Sequence, residues 1–192
     1  MLTLYLTIWT GLTLFVVGET GRALATRGSS PPQWAWWAFA SGLAFTVIHI
    51  VLAFDIVHDW THDDAVRSTA MQTEVVFGVS VGWGVYVNYA FLAAWLADAV
   101  WWRTRTPGAR RSTALTWTLR AFYLTMLVNG AIVFAEGPRR IAGSVLVAWL
   151  CVCWGRNVRL STNRDASLER ASGSVTGLPA QSSGASIPSS HR

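Results

Sequence analysis

The chain reads as an all-α membrane protein, a bundle of five transmembrane helices with a disordered C-terminal tail, and three observations predict this. Hydrophobic residues make up 52% of its 192 residues and charged residues only 13%, about half the ~25% charged share of ordinary soluble domains. Twelve tryptophans accompany a mean hydropathy of +0.36. Fifteen basic and ten acidic side chains are too few to cover that much apolar sequence in so small a soluble domain. Third, the apolar residues fall into runs of about the 20 residues that a spanning helix requires. The same composition excludes wholesale disorder, a collagen repeat, a coiled coil and a disulfide scaffold.

The bundle is expected over residues 1–156. The first run, 2–18, ends at Gly18-Glu19-Thr20-Gly21. No basic residue precedes Arg22, so this run lacks the charged leader of a signal peptide and is read as a retained helix. The second, 34–57, follows Pro31-Pro32, and the third is placed at 75–102, long enough to tilt. Pro107-Gly108 and the surrounding arginines force a turn before the fourth, 113–135, which Gly137-Pro138 closes. The fifth, 141–155, is short but extendable by snorkelling arginines. From 157 to 192 the composition turns to Ser, Thr, Gly, Ala and Arg and predicts a disordered cytoplasmic tail.

All fifteen basic residues are arginine, gathered in short clusters beside the apolar runs. That distribution speaks for membrane topology and against a nucleic-acid partner. With five spans and the N-terminus outside, eleven arginines fall on the inner side, three (Arg67, Arg139 and Arg140) on the outer, and Arg120 within a span. The positive-inside rule then places the protein in the cell (inner) membrane with its C-terminus in the cytoplasm. Trp34, Trp36, Trp37, Trp101, Trp102, Trp117 and Trp154 form an aromatic belt on that inner side. Cys151 and Cys153 are two apart, so a helix turns them away from each other and they read as packing residues.

Polar groups within apolar runs are the informative ones, since hydrocarbon offers them no partner. At ~1.5 Å per residue, His49, Asn88 and Asn129 all lie roughly 21–25 Å from the inner interface. Three helices thus share one polar layer, read chiefly as inter-helix hydrogen bonding. Asp98 and Arg120 lie near the inner ends of adjacent antiparallel spans and are expected to pair. Gly78-x-x-x-Gly82 reads as a face for close helix packing.

The densest polar cluster is Asp55-Ile56-Val57-His58-Asp59-Trp60-Thr61-His62-Asp63-Asp64. On one continuous helix, Asp55, His58, Asp59, His62 and Asp63 would share a single stripe. His58 and His62 with Asp55, Asp59 and Glu74 then form a candidate outer-face site for a divalent metal such as Zn, Fe or Mn. Glu136 reaches the same rim from the end of the fourth span. The leading reading is an ordinary solvated interfacial face, because the pattern is not HExxH and lacks a diagnostic downstream ligand, and a proton-coupled site is a third.

The stretches Gly84-Val85-Tyr86-Val87-Asn88-Tyr89-Ala90-Phe91 and Trp95-Leu96-Ala97-Asp98-Ala99-Val100-Trp101-Trp102, together with His58–Asp64 and Asn129, resemble a group of uncharacterised bacterial multi-pass membrane proteins. The resemblance implies membrane location and no particular activity. The leading expectation is a non-catalytic or accessory bundle whose partners are the lipid bilayer and a second copy or another membrane protein. The alternatives are a membrane metal-binding protein or metalloenzyme using the outer His/Asp cluster, and a small oligomeric transporter using the His49, Asn88 and Asn129 layer.

Overall fold

The structure, a computed structural model, describes residues 1–25, 30–106, 109 and 111–175, with side chains described as far as residue 156. Among these residues it is all-helical, in the order α1 (Leu2–Leu24), α2 (Gln33–Ile56), α3 (His62–Phe77), α4 (Gly84–Thr104), α5 (Thr113–Val128), a π-helical segment (Asn129–Val133) and α6 (Pro138–Val175). Two of them, α1 and α2, are long and apolar enough to cross a membrane. The chain divides into one unit over Met1–Trp154 and another from Gly155 onward.

Local sequence sets several of the helix ends. Pro32 is extended (φ −61°, ψ 145°) and starts α2, since a proline ring fixes φ and supplies no N–H. Ser112 caps α5, its Oγ accepting from Leu115 N–H at 3.2 Å. Gly78 ends α3 in the left-handed region at φ +71°, donating its N–H to the Glu74 carbonyl at 2.8 Å. Gly78→Ala is therefore expected to cost about 1–2 kcal/mol, read as a lower midpoint of thermal unfolding. Arg140 Nε donates to the Ile132 and Ala135 carbonyls at 2.9 and 3.1 Å, which satisfies acceptors freed where the π-helical segment ends.

Three expectations are corrected. The first helix does not stop at Gly18 but runs to Leu24, because Gly18 and Gly21 pack against α2 and the backbone there stays helical. The third apolar run is not one helix over 75–102: it spans the end of α3, a loop and all of α4. Gly78 and Gly82 consequently form no helix face. Gly78 is the α3 cap, and a Cβ on Gly82 would stand 2.7 Å from Val66 Cγ1, where the loop folds back on α3. The tail expected to be disordered from 157 instead continues α6 as helical backbone to Val175, since extending an existing helix needs no new nucleus and no proline interrupts it. Residues 176–192 lie outside the described residues.

Within the first unit α1, α2, α4, α5 and the start of α6 alternate in direction. The Leu4 carbonyl at the start of α1 bonds His49 near the end of α2 (2.9 Å), and Trp36 at the start of α2 donates from Nε1 to the Ala99 carbonyl near the end of α4 (3.0 Å). Tyr123 Oη on α5 donates to the Ala94 carbonyl on α4 (3.1 Å), and the Arg139 guanidinium at the start of α6 lies 4.0 Å from the Tyr5 ring centroid. The core is aromatic: Phe15 meets Trp95 edge-on at 4.9 Å and Tyr123 at 5.3 Å, while Phe39 lies 5.5 Å from Trp95. Trp95 is fully buried and donates from Nε1 to the Phe39 carbonyl at 3.2 Å. Its polar edge is thus satisfied while its rings fill the space between helices.

A long close-packed seam joins α1 to α2. A Cβ on Gly42 would lie 2.8 Å from the Gly11 carbonyl oxygen, and one on Gly18 would lie 2.7 Å from Phe39 Cβ. Small residues let the backbones approach this closely.

Candidate functional site

Two polar centres occupy opposite ends of the first unit. At the end carrying the start of α2 and the end of α4, a charge network is buried. Glu19 on α1 and Asp98 on α4 are each 2% exposed. Arg22, one turn beyond Glu19, lies with Nη1 2.8 Å from Glu19 Oε1 and donates from Nη1 to Asp98 Oδ2 at 2.9 Å. Arg111 Nη2 donates to Asp98 Oδ1, and Tyr123 Oη to Asp98 Oδ2 at 3.4 Å. Trp154 Nε1 on α6 donates to Glu19 Oε2 at 3.0 Å. The guanidinium carbon of Arg22 lies 4.1 Å from the Trp102 ring centroid and 4.9 Å from that of Phe39. Two carboxylates and two guanidiniums thus balance, and cation–π contacts cover the cation where hydrogen bonds do not.

This arrangement corrects the expected Asp98–Arg120 pair. Among the described residues the partners of Asp98 are Arg22, Arg111 and Tyr123. Arg120 instead lies 5.2 Å from the Trp117 ring centroid and 5.3 Å from that of Trp154. Arg22 is preferred for a geometric reason: α1 places it against Asp98 through Phe39 and Trp102, a neighbourhood that chain adjacency does not show. Glu19 and Arg22 were readable as an i, i+3 pair, but the sequence pattern placed them in a break between helices.

The other end carries the His/Asp cluster. The expected single stripe is not formed: α2 stops at Ile56, and Asp59 and Trp60 take left-handed φ values of +48° and +57°. A tryptophan in that region is strained. The turn is held by Trp60 N–H to the Phe54 carbonyl (3.0 Å), Thr61 N–H to the His58 carbonyl (2.7 Å) and Trp60 Nε1 to Asp55 Oδ1 (3.0 Å). Asp63 and Asp64 then open α3, where negative charge suits the helix dipole.

The turn directs the two imidazoles to different partners. His58 Nδ1 pairs with Asp64 Oδ2 at 3.1 Å beside a recess of about 340 Å³ lined by Asp59, Thr61, Asp63, Asp64 and Arg67. His62 turns to α4, with Nε2 3.2 Å from Tyr86 Oη and Nδ1 3.4 Å from Tyr89 Oη. Asp55 is engaged by Trp60, and Glu74 lies near the far end of α3. Among the described residues no group of three or more His, Cys, Asp or Glu side chains is placed to hold a metal ion. His58, His62, Asp55, Asp59 and Glu74 are therefore near one another along the chain without converging.

Compared with protein-family models, curated proteins and solved structures, the chain matches none.

The expected polar layer also divides. His49 Nδ1 is 2.9 Å from the Leu4 carbonyl and 3.4 Å from Thr7 Oγ1, tying α2 to α1. Asn88 is exposed on α4, and Asn129 opens the π-helical segment. Among the described residues neither side chain bonds to His49. His49→Leu is expected to remove one inter-helix bond and lower stability by about 0.6–2 kcal/mol, measured in a detergent unfolding titration.

Proposed function

We propose that the chain is a multi-pass integral protein of the cell membrane. Its α1, α2, α4, α5 with the π-helical segment, and the first half of α6 serve as five crossings. It acts as a non-catalytic scaffold or accessory subunit. One observation carries this reading: the described bundle places charge inside and hydrocarbon outside. Glu19 and Asp98 are buried, while Leu6, Val17, Ile48, Val51, Leu96, Val100, Val145 and Val152 are all exposed. Water penalises that distribution and a bilayer favours it. The alternation of helix direction supports an odd number of crossings. Arg22, Arg103 and Arg111 at one end against Arg67, Arg139 and Arg140 at the other support a cytoplasmic C-terminus only in combination with the remaining inner arginines.

A non-catalytic role fits the buried network because all four carboxylate oxygens of Glu19 and Asp98 face other side chains of the bundle. They fix helix packing.

Fractionation with reporter fusions tests the topology. The chain is expected to stay with carbonate-washed membranes, a reporter after Arg156 to be active in the cytoplasm, and one inserted at Val79 on the opposite side. Recovery from the aqueous fraction, or reversed reporters, overturns the reading. Purification from native membranes in mild detergent tests the role. A second copy or another membrane polypeptide is expected in near-equal amount, and a strictly monomeric product overturns the accessory-subunit assignment.

A further inference from the structure

A groove of about 610 Å³ runs between α2 and α4 on the outside of the bundle. Its wall on α2 includes Ala40 and Ala44, and its wall on α4 includes Ala99. Phe39, Trp95 and Trp102 hold the two helices together on the core side. On the outer side the alanines are too short to close the gap, so the helices meet along one edge and part along the other. The floor is apolar along its length, ending at Ile48. From Trp36 to Ile48 the groove follows α2 for roughly 18 Å, a little more than the half-thickness of a ~30 Å hydrocarbon core.

Only one end is polar. Arg103 and Thr104 stand there beside Trp36. Both Arg103 and Thr104 are exposed, and the Arg103 guanidinium carbon is 5.9 Å from the Trp36 ring centroid. Among the described residues Arg103 has no carboxylate within 4.0 Å, unlike Arg22 and Arg111, which are spent on Glu19 and Asp98. The Thr104 hydroxyl donates to the Val100 carbonyl and the Trp36 indole to the Ala99 carbonyl, so among the described residues the free donor where this one-leaflet apolar groove ends is the Arg103 guanidinium.

We propose that this groove holds one anionic glycerophospholipid of the inner leaflet, its acyl chain along Ala40, Ala44 and Ile48 and its phosphate at Arg103. Charge complementarity selects this occupant. A zwitterionic phospholipid also offers a phosphate but sets its own ammonium beside Arg103, so a lipid of net negative charge is the better match. A free phosphate would leave the apolar floor unused. The site rests on the membrane-embedded reading above and adds a lipid class and a leaflet to it.

The test is native mass spectrometry of the full chain released from nanodiscs that contain phosphatidylglycerol and phosphatidylcholine in equal amounts. The intact protein is expected to retain one phosphatidylglycerol with about five-fold preference, the effect of one basic residue at an anionic surface. Arg103→Gln, at an exposed position that cannot disturb the core, should abolish the preference. Ala44→Trp should fill the groove and release both lipids, with helical circular dichroism reporting that the variant is folded. Added glycerol phosphate should not displace the lipid. Equal retention of the two lipids, an Arg103→Gln variant with unchanged preference, or displacement by glycerol phosphate overturns the lipid site and leaves the membrane reading standing. A chain that never enters the nanodiscs overturns both.

Discussion

Asp98→Asn is expected to lower stability by about 3–5 kcal/mol, the cost of breaking a buried ion pair from one side. The substitution keeps the shape of the side chain but removes the charge that faces two arginines. Arg22 and Arg111 would then lie against a neutral amide, with Tyr123 deprived of its carboxylate acceptor. Arg22 cannot swing to water freely because Phe39 and Trp102 flank it. Unfolding titrations in mixed detergent micelles check the loss. Arg120→Gln supplies the contrast. Among the described residues it removes contacts with the Trp117 and Trp154 rings, for about 0.5–2 kcal/mol. If Arg120→Gln matched Asp98→Asn while Arg111→Gln did nothing, the charge network as described would be wrong. Removing both sides together in Asp98→Asn/Arg111→Gln should cost less than the sum of the single changes, because the groups share one interaction.

Gly18→Leu is expected to pry α1 from α2. The new Cβ alone would stand 2.7 Å from Phe39 Cβ, 2.8 Å from the Phe39 nitrogen and 2.9 Å from the Ala35 carbonyl oxygen. Two of those three atoms are backbone, so a rotamer change relieves little and the helices must separate. Overpacking of well-filled interiors typically costs about 1–3 kcal/mol, and separation here would also loosen the contacts of Phe15 and Phe39 with Trp95. The expected readout is a reduced yield of folded protein and a lowered unfolding midpoint in the same micelles. Gly155→Ala is the control: nothing lies within 4 Å of a Cβ there, so a stability near that of the parent chain is expected. Equal losses in the two variants would mean that the seam is not the close approach described.

The candidate sites were legible to different degrees. The sequence pointed to Asp98 as a charge needing a partner, because an acid in an apolar run is costly. It gave the wrong partner because the shortest connection in the chain leads to the helix of Arg120. The geometry brings Arg22 across from α1 instead. The His/Asp cluster was visible as a composition, but its shape depends on the turn at Asp59 and Trp60. Helical periodicity assumes that no such turn exists. In the same way, Gly78-x-x-x-Gly82 is a visible pattern, whereas the glycines at close helix approaches include Gly11, Gly18, Gly21, Gly42 and Gly143. Their role appears only when the facing surface on the other helix is known.

The sequence by itself determined that this chain is helical, where most of its apolar runs lie and that Asp98 is a charge too deep to stand alone. These follow from composition and from the rise of a helix, both local properties. Only the tertiary structure decided which arginines meet Asp98, where His58 and His62 turn, and that α3 separates from α4. Those outcomes depend on contacts between residues far apart in the chain, and helix periodicity carries no information about which faces will meet.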